Sequence, residues 1–284
     1  MHVLLAGCGW LGAALARALV ARGDRVTGVR RDAGRAEALR ELGVAPVALD
    51  LAAPGAAAAL PRDLDAIVAC QSAGADTAEA YRAAYVDANR TLLEAAARRP
   101  LRALVYTGST GVFGQRDGSD VDESTPVRPA GATAEVLVEA ERLVLGAAAA
   151  GVPARLVRLS GLYGPGRAGL LDRVRAGRLA LGPADGAYMN FCHRDDAVAF
   201  VLAALVRGRD GAAYHGSDAA PARRREVVAW VAERLGVPAS RSGAPPEGPD
   251  RRILSERTRE ELRVTLAYPS FRDGFAPLLA GGGR

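Results

Sequence analysis

The chain has 284 residues, 49% of them apolar and 24% charged, with a formal net charge of +5. That balance excludes a disordered chain and allows a full core, and no apolar stretch reaches membrane-spanning length without an Arg, Asp, Glu or Gly. Cys8, Cys70 and Cys192 are odd in number and far apart, and His2, His193 and His215 are equally scattered. These spacings argue against a disulfide framework and a zinc site, and with an apolar start lacking a charged leader they predict a cytoplasmic protein with no membrane partner. All 37 basic residues are arginine; there is no lysine.

In chain order, residues 2–6 read as a strand, 11–21 as a helix and 25–29 as a strand. Residues 33–42 read as a helix, 44–49 as a strand and 66–69 as another short apolar strand. A long helix over 77–98 precedes a strand at 103–107, a helix at 134–149 and a strand at 154–159. Such alternation predicts an α/β doubly wound parallel sheet of Rossmann type. After Ser160 glycine and proline become dense, with helices over 194–206 and 226–235 and a loop over 242–249. The expected organisation is a dinucleotide-binding domain over 1–160. Residues 161–284 then form mainly a smaller substrate lobe, with some segments returning to the first domain.

Gly7-Cys8-Gly9-Trp10-Leu11-Gly12 follows a predicted strand and opens a predicted helix. The first glycine allows the tight turn, the second admits a pyrophosphate, and the third lets helix and strand pack closely. Trp10 is expected to pack over the pocket mouth. At the end of the second strand, where an acidic residue would bind the ribose of NAD, stand Arg30 and Arg31. Guanidinium groups suit a 2′-phosphate, so NADP is the expected cofactor, NAD remaining compatible. Asp50 and Leu51, after the third strand, either flank the adenine or, for Asp50, cap a helix. Arg223-Arg224-Arg225 reads as a solvated helix start, since only Trp230 among the aromatics lies near, and no nucleic-acid partner is expected.

Further segments resemble the extended and atypical branches of the short-chain dehydrogenase/reductase superfamily, specifically the NAD(P)-dependent epimerase/dehydratase-like group. Thr107-Gly108-Ser109-Thr110-Gly111-Val112-Phe113-Gly114 is similar to its strand-end serine motif, and Asp122-Glu123-Ser124-Thr125-Pro126 to its acidic-Thr-Pro segment. Arg158-Leu159-Ser160-Gly161-Leu162-Tyr163-Gly164-Pro165-Gly166 resembles the stretch ending in Tyr-Gly-Pro-Gly. Asn190 to Asp196 is like its Asn…His-x-Asp-Asp element, and Tyr268-Pro269 to Gly274 like its closing segment. The resemblance implies a small-molecule substrate, hydride chemistry on a nicotinamide cofactor and compatibility with a homo-oligomer.

That family's proton relay rests on Tyr-x-x-x-Lys, in which Lys lowers the Tyr pKa and binds the nicotinamide ribose. Counting back from Glu141, Thr133 stands at the Tyr position and Leu137 at the Lys position. The standard relay is absent. Ser109, with Thr110 beside it, is the candidate for binding a substrate oxygen, or else a polar strand end capping the next segment. Tyr163 is a candidate replacement phenol or a packing residue, and His193 a candidate acid or base or a turn anchor. On the long helix, Asp87 or Asn89 matches the polar residue that supports the active-site water, unless both simply face solvent. Two functions follow: an NADP-dependent oxidoreductase or epimerase/dehydratase-like enzyme on a small carbonyl or hydroxyl substrate, or a non-catalytic NADP-binding sensor.

Overall fold

The computed structural model describes residues 1–98, 100–179, 181, 185–239 and 248–281. Its elements begin with β1 (His2–Ala6), α1 (Trp10–Ala21), β2 (Arg25–Arg30), α2 (Ala33–Glu37), β3 (Ala45–Ala48), β4 (Ala66–Ala69), α3 (Ala78–Tyr81), α4 (Ala88–Ala96) and β5 (Ala103–Ser109). There follow β6 (Arg116–Val121), α5 (Ala132–Ala149), β7 (Ala154–Leu159), β8 (Gly161–Tyr163), α6 (Gly169–Arg175), β9 (Tyr188–Met189) and β10 (Phe191–His193). The last are α7 (Arg194–Arg207), β11 (Ala213–Gly216), β12 (Ala222–Arg223), α8 (Arg224–Leu235), β13 (Asp250–Ile253), α9 (Glu256–Leu262) and α10 (Phe271–Ala280). Of the loop expected over 242–249, all but Gly248 and Pro249 lies outside the described residues.

Seven strands form one sheet in the order β11-β7-β5-β4-β1-β2-β3, with β5, β4, β1, β2 and β3 paired in parallel to one another. The Rossmann-type α/β reading holds. Strands β1, β4 and β7 are buried along their whole length; β4 and, after His2, β1 read as unbroken apolar runs rather than alternating ones, while β7 also buries Arg155 and Arg158. At the edge, β3 carries Pro46, which needs no ladder partner on its free side. The chain runs β1 to β3 on one side, then crosses back to place β4 on the other side of β1. Loops leaving β1 and β4 therefore diverge, opening a crevice at the strand ends.

One core lies between the sheet and its helices, with Leu4, Ile67, Leu92, Leu104, Tyr106 and Val144 packed together. Burial of each such side chain contributes roughly 1.5–3 kcal/mol before entropy is counted. The helix predicted over 77–98 exists but is interrupted. Thr77 caps it by accepting from the Ala80 N–H, and between α3 and α4 the segment Arg82–Asp87 winds as a π turn. The helix predicted over 33–42 divides into α2 and a 3-10 turn, Ala38–Leu42, which Gly43 ends in the left-handed region at φ 73°.

By compactness the chain forms two units. The first comprises Met1–Val112, Pro129–Arg158 and Val198–Tyr214; the second comprises Phe113–Arg128, Leu159–Ala197 and His215–Arg284. Residues 198–214 thus belong with the sheet, while 113–128 group with the later chain because β6 pairs in parallel with β13. The second unit has its own core of Tyr163, Leu171, Phe191, Val228, Phe271 and Phe275. Among the described residues no helix is long and apolar enough to cross a membrane, and no group of three His, Cys, Asp or Glu could hold a metal ion.

Candidate cofactor site

Gly7 sits at φ 87°, and a Cβ there would overlap the backbone of Gln71 at the exit of β4. Only glycine fits, because the turn after β1 is pressed against the neighbouring strand's exit. The turn is fixed by the N–H groups of Gly7 and Cys8, which both donate to the Val29 carbonyl at 3.3 and 3.2 Å, and by the Gly9 N–H on the Gly7 carbonyl at 2.7 Å. A Cβ on Gly12 would overlap the Gly7 carbonyl oxygen, so the third glycine allows α1 to seat on the turn. Gly9 instead faces open space. It is the N-cap of α1, whose first turn carries no acidic residue, leaving backbone N–H groups available to an anion.

A cavity of about 580 Å³ opens from this turn, entirely within the first unit. Gly7, Cys8 and Gly9 form its floor; Arg30, Arg31, Asp32 and Arg35 beyond β2, and Leu49, Asp50 and Leu51 beyond β3, form one wall. Gln71, Ser72 and Gly74 beyond β4, with Ala80, Ala83, Ala84 and Ala88 of the helix, form the other. Trp10, the first residue of α1, is not among the residues that line this cavity. Leu11 and Gly12 are buried in the packing of α1, so Leu11 contributes at most its backbone N–H.

The charged wall is cationic. Arg31 and Arg35 are exposed, Arg30 is half-buried, and none of the three forms an ion pair among the described residues. Of the two acids on this wall, Asp32 accepts from the Arg35 N–H at 2.7 Å and so caps α2. Asp50 is similarly engaged with its own turn, accepting from the Ala52 N–H at 3.0 Å. Burial raises the Cys8 thiol to about 12, Arg30 only partly offsetting it, so Cys8 is a wall and not a nucleophile. A glycine floor, free N–H groups and an arginine wall fit a dinucleotide with its pyrophosphate on the turn.

Ser109 ends β5 and accepts from the Gly111 N–H at 3.0 Å; Thr110, buried, starts the following 3-10 turn. On α5, Thr133, Leu137 and Glu141 share one face at i, i+4 and i+8. Thr133 is half-buried. Leu137 is buried with its methyl 3.8 Å from the position a Gly111 Cβ would take, and Glu141 comes within 3.3 Å of that position on Gly108. The helix therefore presents an apolar group to the Ser109 turn where a lysine would stand.

Tyr163 and His193 belong to the second unit, and for each the geometry favours packing or anchoring over proton transfer. The Tyr163 ring is enclosed by Phe191, His193 and Phe275, and its hydroxyl is buried without a hydrogen-bond partner. It lies where a Cβ on Gly274 would collide with it. Burial, and secondarily Asp218, hold its proton far more tightly than usual. Tyr163 is a core residue, not a phenol poised for transfer. His193 is also buried; its Nδ1 accepts from the Asp195 N–H at 3.3 Å, its ring lies 3.7 Å from that of Tyr268, and burial lowers its pKa. It anchors the start of α7. Asp196 acts alongside it by accepting from the N–H groups of Ala267 and Tyr268 at 2.7 and 3.0 Å, tying down the closing segment.

Sequence reasoning passed over Arg35, Gln71 and the alanine wall. Arg35 could have been found one helical turn beyond Arg31, but Gln71 enters only through the placement of β4 beside β1. Asp87 is half-buried and pairs with Arg90 at 2.9 Å, whereas Asn89 is buried, which settles which of the two faces inward.

Residues 3–216 match the model of the NAD dependent epimerase/dehydratase family. Protein YeeZ of Escherichia coli K12 is 30% identical over 94% of this chain and 96% of its own length. A 3-diazoavenalumate denitrifying reductase from a Streptomyces species is 30% identical over 96% of this chain and 99% of its own. A solved double mutant of DesIV, the dTDP-glucose 4,6-dehydratase of Streptomyces venezuelae, with NAD and DAU bound, superposes with a TM-score of 0.83. That likeness spans 99% of this chain and 96% of the other at 22% identity, and it speaks for the fold.

Proposed function

Since this chain belongs to the NAD dependent epimerase/dehydratase family, we propose that it binds NADP in preference to NAD and acts as an oxidoreductase on a small carbonyl or hydroxyl substrate. The observation that carries the preference is the group of Arg30, Arg31 and Arg35 on the cavity wall, with Asp32 committed to its own helix. A 2′-phosphate gains charge-assisted hydrogen bonds from such a wall, whereas a ribose hydroxyl gains little. A relative named as a quinoline-oxide ketoreductase, from Stigmatella aurantiaca and 29% identical over 84% of this chain, supports the carbonyl reading, and the Streptomyces enzyme, named for denitrifying a diazo compound, supports reduction in general.

A bound nicotinamide supplies the hydride. The chain's part is to hold the dinucleotide on Gly7–Gly9 and the arginine wall, and to offer the hydroxyls of Ser109 and Thr110 to a substrate oxygen. Thr133 can add a hydrogen bond but no activated phenol, so the proton comes through water. Three free, buried cysteines suit a reducing cytoplasm. Calorimetric titration tests the binding, with NADP+ expected at least tenfold tighter than NAD+. NADPH oxidation with a panel of aldehydes and ketones tests the chemistry. Tighter NAD+ binding removes the NADP preference.

The buried, apolar Leu137 at the lysine position favours one alternative, a non-catalytic protein that senses NADP. Binding of the cofactor with no turnover across the panel selects it.

A further inference from the structure

Gln71 is locked in place by its backbone, which occupies the space a side chain on Gly7 would need, and it lines the cavity. Its amide nitrogen donates to the Asn89 Oδ1 at 3.1 Å, and Asn89 is only 1% exposed. Beyond that single bond, Gln71 Oε1 and Asn89 Nδ2 are buried with no hydrogen-bond partner. Exchanging oxygen and nitrogen in both amides changes nothing essential: one bond joins them, and one donor and one acceptor remain. Buried amide atoms left in this state are rare in folded proteins and point to a partner that arrives later.

The π turn Arg82–Asp87 sets up the pair. It directs Tyr85, whose hydroxyl accepts from the Ala73 N–H at 3.4 Å, and Asn89, four residues on, to the same loop leaving β4. Insertions of this kind recur at functional sites.

The sheet order says which part of a dinucleotide would arrive there. Arg30, Arg31 and Asp50 leave β2 and β3 on one side of the glycine turn, and Gln71 leaves β4 on the other. With the pyrophosphate on the turn and the adenosine half toward β2 and β3, the remaining half passes Gln71. The pair is neutral and offers both a donor and an acceptor, which matches hydroxyls; phosphate oxygens would need donors alone. We propose that Gln71 and Asn89 form a hydroxyl-binding subsite for the ribose on the nicotinamide side of the cofactor, a proposal that rests on the dinucleotide reading above. The terminal torsion of glutamine is broad and roughly two-fold, so Gln71 can turn either amide atom to the cavity as the ribose seats.

The test compares the intact dinucleotide with its adenosine half. Wild-type protein, Gln71→Met and Asn89→Leu are titrated by calorimetry with whichever of NADP+ or NAD+ the wild type binds more tightly. Each is titrated in parallel with adenosine 2′,5′-bisphosphate or ADP, respectively. Both variants are expected to lose roughly tenfold in affinity for the dinucleotide, the worth of a neutral hydrogen bond, and to keep the half-molecule within about twofold. Thermal melts accompany the titrations; should Asn89→Leu fail to fold, Gln71→Met, at a half-buried position, decides alone. Unchanged dinucleotide affinity in Gln71→Met, or an equal loss for both ligands, overturns the subsite while leaving the cofactor reading intact. A wild type that binds neither dinucleotide overturns both.

Discussion

Arg158 of β7 grips Glu141 of α5 with two parallel hydrogen bonds, Nε to Oε1 at 3.0 Å and Nη2 to Oε2 at 2.9 Å, both side chains buried. The fork ties the sheet to the helix directly behind the Ser109 turn, where Glu141 also approaches Gly108. Glu141→Leu strips the guanidinium of its carboxylate and is expected to cost about 3–5 kcal/mol in urea denaturation, while Glu141→Leu with Arg158→Met recovers most of that loss. A double variant as unstable as the sum of the two singles would show the pair is not coupled.

The arginine wall predicts a selective effect. Arg30→Ala and Arg31→Ala should each weaken NADP+ binding by roughly 10–100-fold, the worth of a charge-assisted hydrogen bond, with NAD+ affinity nearly unchanged. Parallel titrations with both cofactors measure this, and equal losses for the two would place the guanidiniums away from the 2′ position.

Gly7 and Gly9 separate fold from function within one turn. Gly7→Ala forces a Cβ into the Gln71 backbone at φ 87°, and it should lower stability by about 2 kcal/mol or more as well as abolish binding. Gly9→Ala meets open space, so its melting should change by roughly 1 kcal/mol or less while the methyl crowds the cavity floor and binding falls. Thermal melts beside cofactor titrations resolve the two; a Gly9→Ala protein binding like wild type would remove that glycine from the phosphate cradle.

In the second unit Asp218 is buried, and that burial raises its carboxyl to about 8, against the Ala220 N–H and with help from Asp196 and Asp273. The folded protein therefore holds a proton that the unfolded chain releases near pH 4. Stability from this group is fully present below about pH 4 and is lost as the pH rises to about 8. Denaturant midpoints from pH 5 to 9 should decline, and Asp218→Asn should flatten the decline and gain roughly 2–5 kcal/mol at pH 9. An identical slope in Asp218→Asn would assign the decline to other groups.

Much of the first unit was legible because its signals are local. β4 is an unbroken apolar run and β1 and β5 contain such runs over 3–6 and 103–106, and the Gly7–Gly12 turn declares itself by spacing between a strand and a helix. What stayed hidden depends on partners distant in sequence. Nothing near Arg116 announces that β6 will pair with β13, and nothing near Gln71 announces that Gly7 lies against it. Tyr163 stands in a run rich in glycine and proline that reads as surface; the rings that bury it, Phe191 and Phe275, come from later segments. Hydrophobic periodicity predicted the long helix over 77–98 but could not register the single wider turn inside it.

That wider turn acts as a phase setting. One residue in a regular helix advances the side chains by about 100°, so deleting a residue from Arg82–Asp87 would rotate α4 by that amount relative to α3. Asn89 would leave Gln71, and Leu92 would swing away from the sheet that buries it. Length in this stretch is thus as constrained as composition, and a shortened chain would have to re-pack a whole helix to recover one hydrogen bond.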